Sequence, residues 1–503
     1  MTILFVLLYT FFVQFTNKAG SEEIALSDVA IEKRIARGIA IDSLDYAVSP
    51  SYIDSLATTG CRIYHSSRWM NGVSIETDSL TIERIKKWSF VDSIYLTRKT
   101  KRSFGVPSAF LRKREMENSE IMVDKDSMHE WASDAQLEQL QLHLLHEAGF
   151  KGQGITICVI DGGFQNVDTL SAFAAVRNSN RLLGIYDTTD DADSVTGNTG
   201  GHGSKCWSAI AASTQDYEGA ATAAQYYLIR SEEHYTESPK EMDNWVVAIE
   251  IADSLGVDIV SSSLGYAMFD DAEFTLDYAD LNGKNTRCTQ AAQIATAKGM
   301  LVVVAAGNEG NKAWHYISAP ADAENILTVG AVNVHDSIAN FSSYGPTYDG
   351  RIKPEVCATG SQTALINPLN NSVVYSNGTS FACPIIAGMA ACLWSALPHA
   401  SNLEIRKRII QSADRYKQPH DHYGYGIPNA WVAYGFTTST PNIQIHSEKA
   451  KKILINGQLW IQYNGILYNL MGQKKGKLTT SHRYNLLPLL RSRPGGVQRE
   501  LVV

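Results

Sequence analysis

The sequence lacks several features that would point to common protein classes. It has no Cys-x-x-Cys pair and no cluster of cysteine with histidine, so no structural zinc site is predicted. Its 44 Lys+Arg and 52 Asp+Glu give a net charge of -8, which excludes the basic surface that nucleic-acid binding requires. The seven cysteines are widely spaced. Most lie in apolar surroundings, which indicates buried free thiols and leaves room for one disulfide.

Long apolar runs are also scarce, because none after the first 15 residues is predicted to span a membrane. The opening run, MTILFVLLYTFFVQF, contains no charged side chain, and Lys18 and small residues follow it. This pattern is typical of a signal-peptide core, so residues 1–20 are predicted to be a signal peptide, with a retained membrane anchor as the alternative. We therefore expect the protein to be secreted or held in the cell envelope, outside the cytoplasm.

A chain of 503 residues is too long for one compact core. Residues 21–97 are predicted to form a small α+β domain, with a short strand over 35–41. Residues 98–135 are polar and aperiodic and indicate a protease-sensitive linker. Residues 437–503 indicate a small β region, in which the Asn-Gly pairs at 456–457 and 464–465 favour hairpin turns.

Between residues 136 and 436 strands and helices alternate, which predicts an α/β domain with a doubly wound, mostly parallel sheet. Such sheets bind ligands beyond the carboxyl ends of their strands. Asp161 directly follows one predicted strand, and Asn308 closely follows another. His202 and Ser380 are the first residues of predicted helices. Each of these residues alone is more typical of a turn or a helix cap. Together they predict one site.

Each of the four side chains suits acyl transfer. A serine hydroxyl needs a base to remove its proton, and a histidine does this near neutral pH. An aspartate orients the imidazole, and a helix N–H with an asparagine amide stabilises an oxyanion. The sequence therefore predicts catalysis by Asp161, His202 and Ser380, with Asn308 as an oxyanion donor.

At this point the sequence resembles the subtilisin-like serine proteases. The similar segments are IDGGF at 160–164, GHGS at 201–204, SSLGY at 262–266, AAGNEG at 305–310, FSSYGPTYDGRIKPEVCATG at 341–360 and NGTSFACP at 377–384. Their order, with Asp before His before Ser, is that of the family. The resemblance implies a secreted endopeptidase of the exported bacterial type, which forms an acyl-enzyme intermediate and needs no cofactor for catalysis.

The resemblance also implies how substrates and the N-terminal domain bind. Ser263, Leu264 and Gly265 are expected to pair with a protein or peptide substrate as an extended strand. Ala305, Ala306 and Gly307 are expected to line the pocket for the side chain before the scissile bond. The domain at 21–97 is expected to be an inhibitory propeptide, removed by a cut in the linker, and the enzyme a monomer.

Several alternatives stay open. The acidic segments 228–241 and 269–283 favour solvated loops, with subsites for basic or extended substrates as the alternative. The run TTDDADS at 188–194 favours a solvated turn over a structural calcium site. The C-terminal region also has some likeness to a sorting tail. A catalytically inactive binding module on the same fold would be distinguished by failing to react with a serine-directed phosphonate. An α/β-hydrolase is disfavoured because its Gly-x-Ser-x-Gly elbow is lacking, and a dinucleotide-binding enzyme because no Gly-x-Gly-x-x-Gly follows the first strand.

Overall fold

The computed structural model describes residues 7–99, 131–191 and 193–435, and the backbone of four strands between 451 and 477. It divides into two compact units, residues 1–436 and 437–503. Within the first unit we distinguish an N-terminal domain, residues 7–99, and a central domain, residues 131–435. Most of the predicted linker, residues 100–130, lies outside the described residues.

The N-terminal domain is a four-stranded antiparallel sheet with helices. Its elements are β1 (Leu8–Phe15), α1 (Asp28–Arg37), α2 (Pro50–Ala57), β2 (Arg62–Ser67), β3 (Gly72–Asp78), α3 (Ser79–Ile85) and β4 (Val91–Lys99). The strand order is β2-β3-β1-β4, so β1 is a central strand that pairs with both β3 and β4.

The position of β1 corrects the signal-peptide prediction for residues 1–20 and the predicted domain start at residue 21. Val13 and Phe15 pack into the core of the N-terminal domain. Phe12, on the opposite face, belongs to a core cluster formed mostly by residues of the central domain. Successive side chains of a strand point to opposite faces. A strand that is buried on both faces therefore reads as a continuous apolar run, like a signal-peptide core.

The strand predicted over 35–41 is also wrong, because residues 28–37 form helix α1. The hydroxyl of Ser27 accepts a hydrogen bond from the N–H of Ala30 and caps the helix start. Gly38 ends the helix in the left-handed conformation, with φ 67°, which glycine adopts at low cost. This glycine is the end of a helix and not a weak point in a strand.

The central domain is a three-layer α/β structure around a seven-stranded parallel sheet of order β11-β10-β9-β8-β5-β7-β6. Its sheet strands are β5 (Thr156–Asp161), β6 (Leu182–Asp187), β7 (Gln225–Arg230), β8 (Ile259–Ser262), β9 (Leu301–Ala305), β10 (Leu327–Val332) and β11 (Val356–Thr359). A hairpin, β12 (Thr363–Ile366) and β13 (Val373–Ser376), forms a separate sheet. The predicted fold class is confirmed.

The helices of the central domain connect and cover these strands. They are α4 (Asp134–Gln139), α5 (Leu142–Glu147), α6 (Ala174–Asn178), α7 (His202–Ala211), α8 (Pro239–Ser254), α9 (Arg287–Ala297), α10 (Thr379–Ala396), α11 (Asn402–Gln411) and α12 (Ala430–Gly435). Helix α10 is apolar and long enough by composition to cross a membrane, but nearly all of it is buried inside this domain. It contacts β8, β9, β10 and β11 and is therefore a core helix.

All seven cysteines lie in described residues as free thiols, and all except Cys61 are buried. The second unit contains strands β14 (Lys451–Ile455), β15 (Gln458–Tyr463), β16 (Ile466–Tyr468) and β17 (Lys474–Lys477), paired antiparallel in that order. The Asn-Gly pairs at 456–457 and 464–465, which predicted hairpin turns, lie outside the described residues. The role of this unit stays a prediction.

Buried ion pairs join the N-terminal domain to helices α8 and α9 of the central domain, beside the apolar contacts of Phe12. Asp253 of α8 accepts hydrogen bonds from Arg34 at 2.7 Å and from Arg68 at 2.6 Å. Lys298, which directly follows α9, binds Asp45 at 2.7 Å. The side chains of Arg34, Arg68 and Asp253 are each less than a tenth exposed. Each domain therefore supplies the counter-charges for buried charged side chains of the other.

Candidate active site

Asp161 is the last residue of β5, at the carboxyl edge of the sheet, and is completely buried. Its Oδ1 accepts a hydrogen bond from the N–H of Gly162 at 2.7 Å and lies 2.7 Å from Nδ1 of His202. Carboxylate contact with Nδ1 fixes the tautomer of an imidazole and leaves Nε2 as the reactive nitrogen. The structure thus brings together the predicted aspartate and histidine.

His202 is the first residue of helix α7, and the next residue of the GHGS segment allows this helix to approach β5 closely. A Cβ atom on Gly203 would lie 2.9 Å from Cβ of Asp161. That separation is too short for two carbon atoms, so any larger residue would push the helix away from Asp161. The glycine of this segment therefore sets the distance between the two catalytic candidates.

The surroundings of His202 favour its protonated form. Burial by itself lowers the pKa of an imidazole, but the adjacent carboxylate of Asp161 outweighs this effect. The pKa of His202 is raised well above its ordinary value of 6.5. The Cys206 thiol, one turn further along α7, has its pKa raised by burial. A neutral thiol beside the ring leaves Asp161 as its charged partner.

Ser380 is the second residue of α10 and is 6% exposed. Cys206 Sγ lies 3.8 Å from Nδ1 of His202 and 3.4 Å from the carbonyl oxygen of Ser380, so it links the two helix starts. The ring of Phe381 also lies beside the imidazole, with centroids 5.8 Å apart. The Ser380 hydroxyl itself is directed to the carbonyl oxygen of Ser263, at 3.5 Å. Such a contact is long and leaves the hydroxyl free to turn.

Asn308 lies three residues after β9, next to the start of α10. Its Oδ1 accepts hydrogen bonds from the N–H of Thr379 at 2.8 Å and from its hydroxyl at 3.1 Å. Because a backbone N–H can only donate, these contacts fix the orientation of the amide. Nδ2 donates to none of the described residues and remains available to a ligand.

The predicted substrate segments lie on either side of these residues. Ser263 donates its hydroxyl to the carbonyl oxygen of Ser380 at 2.7 Å. Leu264 is nearly buried and Gly265 is exposed. On the other segment, Ala305 and Ala306 are buried and Gly307 is half-buried; the N–H of Gly307 donates to the hydroxyl of Thr379 at 3.2 Å. Both segments therefore touch the first turn of α10.

The acidic segment 228–241 is not the solvated loop that the sequence favours. Glu232, Glu233 and Glu241 are at most 5% exposed. The N–H of Ser231 donates to the carbonyl oxygen of Asp161 at 3.1 Å. The segment is therefore packed against the candidate site. The segment has four acidic residues in 14, but the sequence did not reveal the cations that make burial of three of them possible.

Two carboxylates of the run 188–194 are engaged by other parts of the protein. The carboxylate of Asp190 pairs with Lys240 at 2.6 Å. Asp191 accepts a hydrogen bond from the N–H of His234 at 2.7 Å. Calcium requires six to eight oxygen ligands around one centre, and these carboxylates are directed to protein donors instead.

Comparison with known proteins agrees with this geometry. The model of the subtilase family, Peptidase S8, matches residues 152–426. A second model, the Peptidase S8 propeptide domain of Bacteroidota, matches residues 10–113 and so begins within β1. The first match covers more than half of the chain, and the second covers the N-terminal domain that docks on it.

Individual relatives give the same result. Thermitase from Thermoactinomyces vulgaris is 31% identical over 288 residues, which are 56% of this chain and 89% of thermitase. Subtilisin NAT from Bacillus subtilis subsp. natto is 24% identical over 440 residues, 86% of this chain and 98% of that protein. The crystal structure of MycP1 from Mycobacterium smegmatis aligns with 64% of this chain and 89% of its own, with 19% identity and a TM-score of 0.49. The two family models and the two curated relatives show that the chain belongs to the subtilase family and is a serine endopeptidase with its own propeptide domain.

Proposed function

We propose that this chain is an exported endopeptidase in which Ser380 attacks the peptide carbonyl and His202 takes the proton of its hydroxyl. The contact of 2.7 Å between Asp161 Oδ1 and His202 Nδ1, beside the start of α10, carries the proposal. Asp161 orients the imidazole and stabilises the imidazolium. His202 then returns the proton to the leaving amine, and water hydrolyses the acyl-enzyme by the same route.

The oxyanion would be stabilised by Nδ2 of Asn308 and the N–H of Ser380. The first N–H groups of a helix have no acceptor within the helix and carry its positive dipole. Ser263, Leu264 and Gly265 would bind the substrate backbone, and Ala305 to Gly307 would line the pocket before the scissile bond. Catalysis by these groups requires no cofactor. The propeptide domain would inhibit the enzyme until it is cut off. The matches to the Bacteroidota propeptide model and to subtilisins support a location outside the cytoplasm.

The oxyanion assignment predicts a specific loss of rate. Asn308→Ala is expected to lower kcat by about 10²- to 10³-fold with little change in KM, because the amide acts on charge that develops only in the transition state. Initial rates with a fluorogenic peptide measure both constants. Asn178→Ala, at an exposed position of α6, serves as the matched control. An equal rise in KM with unchanged kcat would instead assign Asn308 to ground-state binding.

The raised pKa of His202 predicts the pH dependence. His202 must be neutral to act as a base, so kcat/KM is expected to rise with pH through a limb above 6.5. Asp161→Asn removes the charge that raises this pKa. The limb should then move to lower pH, and kcat should fall by about 10⁴-fold because the tautomer is no longer held. The test is the pH profile of peptide hydrolysis, measured for both proteins. If the limb does not move, it belongs to a group other than His202.

The raised pKa of His202 also affects folding stability, which changes with pH in the opposite direction to activity. A histidine whose pKa is higher in the folded state stabilises the fold fully below its unfolded pKa, near 6.5. This contribution is lost as the pH rises through the folded value. The pH range that activates the base is therefore the range in which its pair with Asp161 contributes less to folding.

A further inference from the structure

The last two residues of β4 lie between acidic segments of the central domain. Arg98 Nη1 is 2.6 Å from Oε2 of Glu233, and both side chains are largely buried. Lys99 Nζ pairs with Glu273 and lies 3.6 Å from Asp271, in more exposed positions. The propeptide strand thus presents consecutive basic side chains to carboxylates of the 228–241 and 269–283 segments.

The carboxylate of Glu233 is held in place before any arginine is considered. Its Oε1 pairs with Lys240, and its Oε2 accepts a hydrogen bond from the hydroxyl of Thr236 at 2.9 Å. The N–H of Glu233 donates to Glu241 at 2.9 Å. A carboxylate with a fixed orientation loses little entropy when it binds a cation, so it can discriminate between side chains.

The charges around Glu233 leave a negative excess in the central domain. Lys240 is completely buried and pairs with both Glu233 and Asp190. This amounts to two carboxylates for one ammonium group. Arg98 of the propeptide supplies the missing positive charge, with a more distant contribution from Arg62, 3.7 Å from Asp190 and largely exposed. When the propeptide leaves, Glu233 needs another cation or must be solvated.

The residues before Glu233 contact the candidate active site. The backbone N–H of Ser231, two residues earlier, donates a hydrogen bond to the carbonyl oxygen of Asp161. Glu232 accepts a hydrogen bond at 2.7 Å from the hydroxyl of Tyr266, which directly follows the substrate segment 263–265. The segment that carries Glu233 therefore adjoins both the candidate site and the segment expected to bind the peptide.

We propose that Glu233, assisted by Asp271 and Glu273, forms an acidic subsite that selects peptides with basic residues on the N-terminal side of the scissile bond. This inference rests on the proposed endopeptidase function of the same cleft. The propeptide occupies the subsite with Arg98 and Lys99, and the sequence that follows, Thr100-Lys101-Arg102, remains basic. The basic segment that follows the propeptide strand is thus the first substrate that this subsite would select.

The test uses internally quenched peptides with the sequence of residues 92–106 and the mature enzyme. In one peptide citrulline replaces the arginine at position 98, which removes the charge and keeps the shape. We expect kcat/KM to be about 10- to 100-fold higher for the arginine peptide, the range for a hydrogen-bonded pair with a charged group. Mass spectrometry of the products locates the bond that is cut.

The variant Glu233→Gln should reduce the ratio of the two rates toward one, whereas the exposed Glu324→Gln should leave the ratio and both rates unchanged. The double variant Asp271→Asn/Glu273→Gln should lower the ratio less, because exposed pairs contribute little. Should Glu233→Gln fail to mature, the comparison in the unmodified enzyme still decides.

Hydrolysis of casein by the same preparation tests the proposed function separately. If casein is cut and the two peptides are cut at equal rates, or neither is cut, the acidic subsite is refuted and the endopeptidase stands. If casein is not cut, the proposed function fails. A ratio well above one that Glu233→Gln removes supports the subsite.

Discussion

Ser380→Ala is expected to lower kcat for peptide hydrolysis by about 10⁶-fold and to leave the propeptide covalently attached. The magnitude is that of removing the nucleophile from subtilisin, a relative of this chain. The remaining triad members cannot compensate, because His202 has no serine hydroxyl to activate. The oxyanion donors and substrate binding supply only the residual rate over the uncatalysed reaction. Gel electrophoresis of the purified chain shows whether the N-terminal domain is cut off.

The hydroxyl of another serine on the same helix provides the control. Ser395 lies near the end of α10 and donates to the carbonyl oxygen of Cys392 at 2.8 Å. Ser395→Ala should therefore mature and react with a serine-directed phosphonate like the unchanged enzyme, whereas Ser380→Ala should not be labelled. Hydrolysis by Ser380→Ala at the rate of the unchanged enzyme would refute the triad.

Asp253→Asn is expected to undock the propeptide domain. This carboxylate binds Arg34 and Arg68 in a region where all three side chains are buried. Neutralising it leaves two buried guanidinium groups without their main counter-charge. Breaking a buried pair in this way costs about 3–5 kcal/mol, which is 10²- to 10³-fold or more in the docking equilibrium.

This loss can be measured in the Ser380→Ala background, in which we expect the chain to stay intact. Hydrogen exchange of the amides in β1 and β3 should be faster by the same factor, because undocking exposes one face of their sheet. Asp216→Asn, at an exposed position of the central domain, should leave exchange unchanged. If exchange in β1 is unaffected by Asp253→Asn, apolar contacts such as those of Phe12 hold the two domains together.

The sequence was sufficient for the catalytic candidates because their positions follow from local rules. A continuous apolar run predicted β5, and the residue at its end was Asp161. His202 and Ser380 were the first residues of predicted helices. In a parallel sheet the carboxyl ends of the strands share one edge. Four polar residues at such ends could therefore be assigned to one site before their distances were known.

The tertiary structure was needed wherever burial depends on distant partners. The opening apolar run reads alike as a signal-peptide core and as a strand that is covered on both faces. Only the pairing of β1 with β3 and β4, and the contact of Phe12 with the central domain, distinguish the two. Hydrophobicity depends on the residues of a segment, but what covers each face depends on the whole chain.

Charged residues also differ in whether the sequence or the tertiary structure determines their role. The sequence determined that this chain is a subtilase with its catalytic residues in a fixed order, because those residues lie in short, recognisable segments. It could not determine that Glu233 is buried, since burial of a carboxylate requires cations that come from Lys240 in the next helix and Arg98 in another domain. Only the folded chain brings those charges within a few ångströms of one another. At that distance their attraction offsets the free-energy cost of removing them from water.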